Sequence, residues 1–303
     1  MHSHPHPHQH HKQSSTHIFA WAMWINLTYS ALEAGFGFYT NSLALISDAL
    51  HNLGDAAGLG LAWVAAWLAT HAPTERHTFG WRRATQLSPL MNAILLVAFS
   101  GALLWESFRR IQNPPDVPGF TLIWVASIGI LVNIGTAALF YRGQHTDLNK
   151  RGAFLHLMAD AAVSVAVVLA GLGIWLYGWH WLDPVTSLLV AIVVGYSSWR
   201  LLKESFMQVM DAVPENLDKA QVETYLLSLP NVAAVHHVHI WSLGAEEIAL
   251  TAHIVRNTTQ QHDAFIDQTN QDLLQKFNIN HATLQIELGQ SCLHDQHDHA
   301  PHY

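Results

Sequence analysis

The sequence predicts an α-helical membrane protein: six transmembrane helices followed by a small α+β domain. Three observations predict it. Half of the 303 residues are hydrophobic and only 12% are charged, against roughly 25% charged in a soluble domain. Six apolar runs are each long enough to cross a bilayer core about 30 Å thick, which takes about 20 helical residues. After residue 206 these runs stop, and amphipathic patterns of ordinary polarity replace them.

The chain opens with "MHSHPHPHQHHK". Alternating His and Pro cannot bury a core, so residues 1–16 read as a disordered tail. An expression tag is the alternative, although a tag is typically an unbroken His run. The spans are expected at 17–39, 42–68, 86–108, 119–141, 152–177 and 182–202. Turn signals separate them: "YTNS", "THAPTERHTFGWRR", "QNPPDVPG", "RGQHTDLNKRG" and "YGWHWLDP". No cleavable leader is expected, because the polar N-terminus precedes a full-length apolar run.

Basic residues set the topology. One side carries Lys12, Arg76, Arg82, Arg83, Arg142, Lys150, Arg151, Arg200 and Lys203. The other carries only Arg109 and Arg110. Both termini are therefore expected in the cytoplasm, as an even number of spans requires.

Residues 207–288 follow an αββαβ order. "VPENLDKAQVETYLLSLP" has helical spacing, and "NVAAVHHVHIWSL" and "EIALTAHIVR" alternate like strands. "TQQHDAFIDQTNQDLLQKF" is a second helix and "HATLQIEL" a last strand. Such an order suits helices on one face of a sheet. Residues 289–303 form a second His-rich tail. The lone Cys292 excludes a disulfide framework and a Cys-rich zinc module.

Two segments break the apolar pattern. "HNLGD" places His51 and Asp55 four residues apart in the second span, and "HLMAD" repeats this with His156 and Asp160 in the fifth. Residues at i and i+4 stack on one helix face. Each helix thus presents one imidazole and one carboxylate, and facing helices offer N2O2, a set suited to tetrahedral zinc. Depth agrees. At 1.5 Å per residue, Asp55 lies about 20 Å from the outer surface and Asp160 about 18 Å. An Asp at a helix centre costs about 2.5–3.5 kcal/mol, so two of them call for a cation, a proton or water. The alternative, that each pair only pins helix packing, does not account for matched pairs at matched depth.

Weaker signals accompany them. Asp48, one turn before His51, has two readings: a group beside the site or on an exit path, or a polar residue pairing with a neighbouring helix. Asn26, Glu33, Asn92 and Asn133 are candidates to line the same cavity, and interhelical hydrogen bonding also explains the asparagines. Glu106 reads as interfacial. Gly54, Gly58 and Gly60 permit close packing and bending of the second span.

"SDALHNLGD", "HLMAD", "HTFGWRRA", "MDAVPENLD" and "VHHVHIWSL" together resemble the cation diffusion facilitator family, in its zinc-exporting branch. The resemblance runs from about residue 17 to 288. It implies a homodimer in the lipid bilayer, with six spans and a cytoplasmic domain of metallochaperone-like fold. It also implies export of divalent metal from the cytoplasm in exchange for protons. His51, Asp55, His156 and Asp160 then form the transport site. Some members have Asp at the position of His51, and manganese-handling branches lack the set, so this His favours zinc. Cadmium(II) and cobalt(II) also accept such ligands. The resemblance further suggests metal on the soluble domain at His236, His253 and Glu287, where Gln285 replaces a His that other members use. His237, or Cys292 and His294, would complete that shell; the alternative is half-buried sheet histidines. Strand alternation puts His237 and His239 on one face and His236 on the other. His71 and His77, in the loop after the second span, are either a further site or solvated. The short connection between the fourth and fifth spans resembles bacterial members, hence a bacterial inner membrane. Transport rather than catalysis is expected, with no cofactor and no nucleic-acid partner. An intramembrane zinc enzyme would keep an open coordination position and a general base. A non-transporting metal sensor would not need ligands at mid-depth.

Overall fold

A computed structural model describes residues 10–141, 148–245, 247–258 and 262–288. The expected tail at 289–303, including Cys292 and His294, lies outside the described residues, as does the first part of the tail at 1–16. Six long helices come first: α1 (His10–Thr40), α2 (Leu43–Ala69), α3 (Ala84–Gln112), α4 (Gly119–Tyr141), α5 (Leu148–Tyr177) and α6 (Leu182–Val209). Then come α7 (Lys219–Leu227), β1 (Val232–Ser242), β2 (Ile248–Arg256), α8 (His262–Phe277) and β3 (His281–Leu288). The chain forms two compact units, one holding residues up to Leu61 with Met91–Leu202, the other Ala62–Leu90 with residues from Lys203 onward.

Among the described residues, four helices are long and apolar enough to cross a membrane: α3, α4, most of α5, and α6. The six spans expected from sequence reduce to four by this measure. The reason is local. Asp48, His51, Asn52 and Asp55 interrupt α2, while α1 starts in polar sequence and carries Asn26 and Glu33. Large apolar side chains such as Leu131, Val193 and Leu189 face outward, the reverse of a water-soluble bundle.

In the first unit, α4 and α5 meet through bare backbone. A Cβ on Gly119 would lie 2.7 Å from the Gly171 carbonyl oxygen, so only glycine fits this crossing. Polar contacts tie α1 to α4: Asn26 Nδ2 donates to Thr136 Oγ1 (3.2 Å) and Tyr29 Oη to the Val125 carbonyl (3.1 Å). "YTNS" makes the α1–α2 turn, with Asn41 in the left-handed region (φ 55°) and Ser42 Oγ accepting from Leu45 N. Asp183 in the first turn of α6 completes that cap. It accepts from Ser42 Oγ (2.5 Å), Leu43 N (2.8 Å) and Ala44 N (3.3 Å), all of them buried.

The second unit contains a three-stranded sheet in the order β1-β2-β3. β1 is antiparallel to β2 and β3 is parallel to it. The parallel pair needs a crossover, which α8 supplies. Val222 and Leu226 of α7 and Leu273 of α8 pack onto Val238, Ile240, Leu250 and Ile254 of the sheet. Asp218 caps α7 by accepting from Ala220 N (2.9 Å). The segment before and into α3 belongs to the same unit. Arg82 pairs with Glu247, Arg83 Nη2 with Asp211 (2.9 Å), and Gln86 Nε2 donates to the Ser242 carbonyl (2.9 Å).

Candidate metal centre

Because i and i+4 stack along a helix, His51 Nε2 lies 3.7 Å from Asp55 Oδ2, and His156 Nε2 lies 3.5 Å from Asp160 Oδ2. The two pairs also face each other. His51 Nε2 is 3.6 Å from Asp160 Oδ1, and His156 Nε2 is 3.2 Å from Asp55 Oδ2. The imidazole rings stand edge to face, 6.0 Å apart between centroids. Tetrahedral zinc with bonds of about 2.0–2.2 Å has ligand–ligand edges of about 3.3–3.6 Å. The four His–Asp separations fall within about 0.1 Å of that range, but Asp160 meets His51 through Oδ1 and His156 through Oδ2, so they are not the edges of one four-atom tetrahedron. Asp55 Oδ2 is buried without a hydrogen bond, so it is an acceptor that a cation fits. A cavity of about 150 Å³ opens on the group, lined by Asn26, Asn52, Asp55, His156, Asp160 and Leu59.

Sequence reasoning left Asp48 between two readings and did not see its partners. It is fully buried. Its Oδ2 accepts from Ser164 Oγ (3.1 Å), one turn beyond Asp160 on α5. Asn52 Nδ2 donates to the Asp48 carbonyl (3.1 Å). Ser164 was findable: it is a hydroxyl at i+4 from Asp160 in an otherwise apolar run.

In the sheet, His236 Nε2 lies 3.1 Å from Glu287 Oε2, and His253 Nδ1 lies 2.8 Å from Glu287 Oε1. One ligand atom from each of the three lies within 4.8 Å of the others, a set able to hold a metal ion. Burial pushes the Glu287 carboxyl up, but hydrogen bonds with His236 and His253 outweigh it and hold it below the usual carboxylate range. Gln285 Nε2 donates to Glu287 Oε1 (3.0 Å). The expected alternation along β1 fails here. The ladder is irregular between His236 and His239, and His237 has a φ of 49°. This bulge turns His237 to the His236 side, with its ring 5.1 Å from His236 and 5.0 Å from His253.

His71 and His77 are engaged with their own surroundings. His71 Nδ1 is 3.1 Å from the Trp67 carbonyl oxygen, and its ring stands edge-on to the Trp67 indole. His77 stacks on Trp81 with centroids 4.4 Å apart.

A helical membrane domain with an internal His–Asp cluster, joined to a small domain carrying a cluster able to hold a metal ion, points to a metal-handling membrane protein. Residues 20–210 match the model of the cation efflux transmembrane domain, and residues 214–288 match that of the cation efflux protein cytoplasmic domain. The chain belongs to the cation efflux family. It is 37% identical over 287 residues to the zinc transporter ZitB of Escherichia coli (strain K12), covering 91% of each chain. It is 34% identical over 277 residues to the metal cation efflux system protein CzcD of Cupriavidus metallidurans, covering 91% of this chain and 87% of that one. It is 34% identical over 264 residues to the cadmium, cobalt and zinc/H(+)-K(+) antiporter of Bacillus velezensis, covering 86% of this chain and 84% of the relative. The protein is thus a transporter and not an enzyme, and the metal is its cargo rather than a cofactor.

Proposed function

We propose that the chain exports zinc from the cytoplasm in exchange for protons, and that His51, Asp55, His156 and Asp160 bind the ion in transit. The observation that carries this reading is the ring of four His–Asp separations of 3.2, 3.5, 3.6 and 3.7 Å contributed by two helices. A metal ligand must be a neutral imidazole or an ionised carboxylate, so zinc and protons compete for the same atoms. Facing the cytoplasm the site loses protons and takes metal. Facing outward it regains protons and the metal leaves. The names of these relatives cover zinc, cadmium, cobalt and proton antiport, which supports this cargo and this exchange.

In this reading α1 and α2 also span the bilayer, giving six spans with both termini in the cytoplasm of a bacterial inner membrane. The polar face of α2 is tolerated because it points at α5 rather than at lipid. Residues 17–206 form the membrane domain and 207–288 the cytoplasmic domain, which pairs two copies. His236, His253 and Glu287, with His237 from the bulge, bind a regulatory zinc. His71 and His77 are left solvated. The test is zinc flux into inside-out vesicles. Asp160→Ala should abolish uptake while expression in the membrane is unchanged. Uptake equal to that of the parent chain would sink the assignment.

A further inference from the structure

The metal cluster is not the only ionisable group inside the first unit. Glu33 on α1 is fully buried, and so is Asp48 on α2. Tyr29 Oη donates to Glu33 Oε1 (2.9 Å), while Glu33 Oε2 is buried with no hydrogen bond. Asp48 is near enough to Glu33 to act on it electrostatically. Gly129 of α4 shows how the two sides meet. A Cβ there would lie 2.5 Å from Tyr29 Oη and 3.1 Å from Ser164 Oγ, so both hydroxyls converge on the same bare backbone. Tyr29 leads to Glu33, and Ser164 leads to Asp48.

The groups facing Glu33 can be taken helix by helix. Its own helix brings the Tyr29 hydroxyl, α2 brings Asp48, and α4 brings only backbone at Val125 and Gly129. From α5, the Ser164 hydroxyl and the charge of Asp160 reach Asp48 rather than Glu33 itself. The neighbours are thus hydroxyls and negative charge, with the Asn52 amide and the His51 imidazole on the Asp48 side, and among the described residues no lysine or arginine is bonded to either carboxylate. An ionised carboxylate in such a place is costly unless a cation accompanies it. Among the described residues the donor bonded to Glu33 is the Tyr29 hydroxyl and no imidazole bonds it, so the chemistry suits a proton rather than zinc.

We propose that Glu33 is a proton-binding site separate from the metal cluster, loading and releasing one proton in each transport cycle, with Asp48 and Ser164 linking it electrostatically to Asp160. This rests on the zinc–proton exchange proposed above and adds a proton that does not compete with zinc for a ligand atom.

The test uses the full chain in liposomes of phosphatidylethanolamine and phosphatidylglycerol, with the membrane voltage clamped and zinc-sensitive and pH-sensitive dyes inside. Each coupled proton multiplies zinc accumulation by about tenfold per pH unit of gradient. Glu33→Gln should therefore release one proton fewer per zinc and lower accumulation about tenfold at a one-unit gradient. Its zinc binding and zinc-for-zinc exchange should match the parent chain. Tyr29→Phe keeps the carboxyl and removes its donor, so it should keep the ratio and move the pH profile of the rate. A Glu33→Gln protein with the parental proton-to-zinc ratio overturns the assignment while leaving the exchange reading intact. Loss of zinc binding in that variant would overturn it too, since Glu33 would then serve the cluster or the fold. A parent chain that moves zinc without counterflow of protons would overturn both readings.

Discussion

Replacing Asp183 by Ala tests how the start of α2, which leads to His51 and Asp55, is held. The Asp183 side chain accepts from Ser42 Oγ at 2.5 Å, Leu43 N at 2.8 Å and Ala44 N at 3.3 Å. It also sits in the first turn of α6, so the positive ends of two helices converge on one carboxylate. Truncation strands two strong donors and one weak one, in residues that are all fully or nearly fully buried. A hydrogen bond to a charged group is worth about 1.5–3 kcal/mol, so the two short contacts give roughly 3–6 kcal/mol. Relaxation of the α2 terminus toward its ordinary capping value, at most about 2 kcal/mol for one cap, sets the lower limit. At about 2–4 °C per kcal/mol for a domain of this size, the unfolding midpoint in detergent should fall by roughly 10 °C. Asp183→Asn keeps an acceptor for Leu43 N but turns an amide donor toward another donor, so its loss should be intermediate. His51 and Asp55 lie more than a turn further along α2, so zinc affinity should change less than the stability does. An Asp183→Ala protein that melts with the parent would refute the cap as the anchor of α2. An Asn variant worse than Ala would refute the donor count.

Two further outcomes follow from the second unit. Glu287→Gln removes the carboxylate that both His236 and His253 contact. Titration calorimetry of the full chain should then find one zinc fewer per chain, with flux through the membrane site retained at saturating zinc. Tyr225→Phe removes the hydroxyl that donates to Asp272 Oδ2 at 2.5 Å and joins α7 to α8. That bond first, and Gln268 second, holds the Asp272 carboxyl below its usual range. A depressed carboxyl contributes stability above its unfolded pKa of about 3.9 and loses it as pH falls through the folded value. The parent should therefore be more stable than Tyr225→Phe from neutral pH down to about pH 5, and the gap should close on further acidification. A gap that widens toward acid would contradict the sign.

What the sequence made legible is what helix and strand periods encode. The apolar run at 119–141 has the bounds of α4, and the i, i+4 spacing alone accounts for His51 over Asp55 and His156 over Asp160. Facing of the two pairs was supported only by their calculated depth. It depends on the crossing of packed helices, which no spacing within one helix specifies. The β1 histidines show the converse. Period 2 assigns His237 to the face of His239, but one residue in the left-handed region re-aims it toward His236 and His253. The same blindness hid Glu33. From sequence it was one carboxylate in a first span with Tyr29 one turn before it, because Asp48, Gly129 and Ser164 gather around that pair from three other helices. Residues adjacent in space but distant in the chain carry no period, and a membrane interior multiplies such cases because it gathers its few polar groups together. Among the described residues, four helices rather than the expected six read as apolar spans for a related reason. Hydropathy sees Asp48, His51, Asn52 and Asp55 as a break in α2, whereas packing turns the same four residues toward α5 and one another. A helix that scores poorly as a span because its polar residues share one face is thus the helix on which to look for the permeating ion.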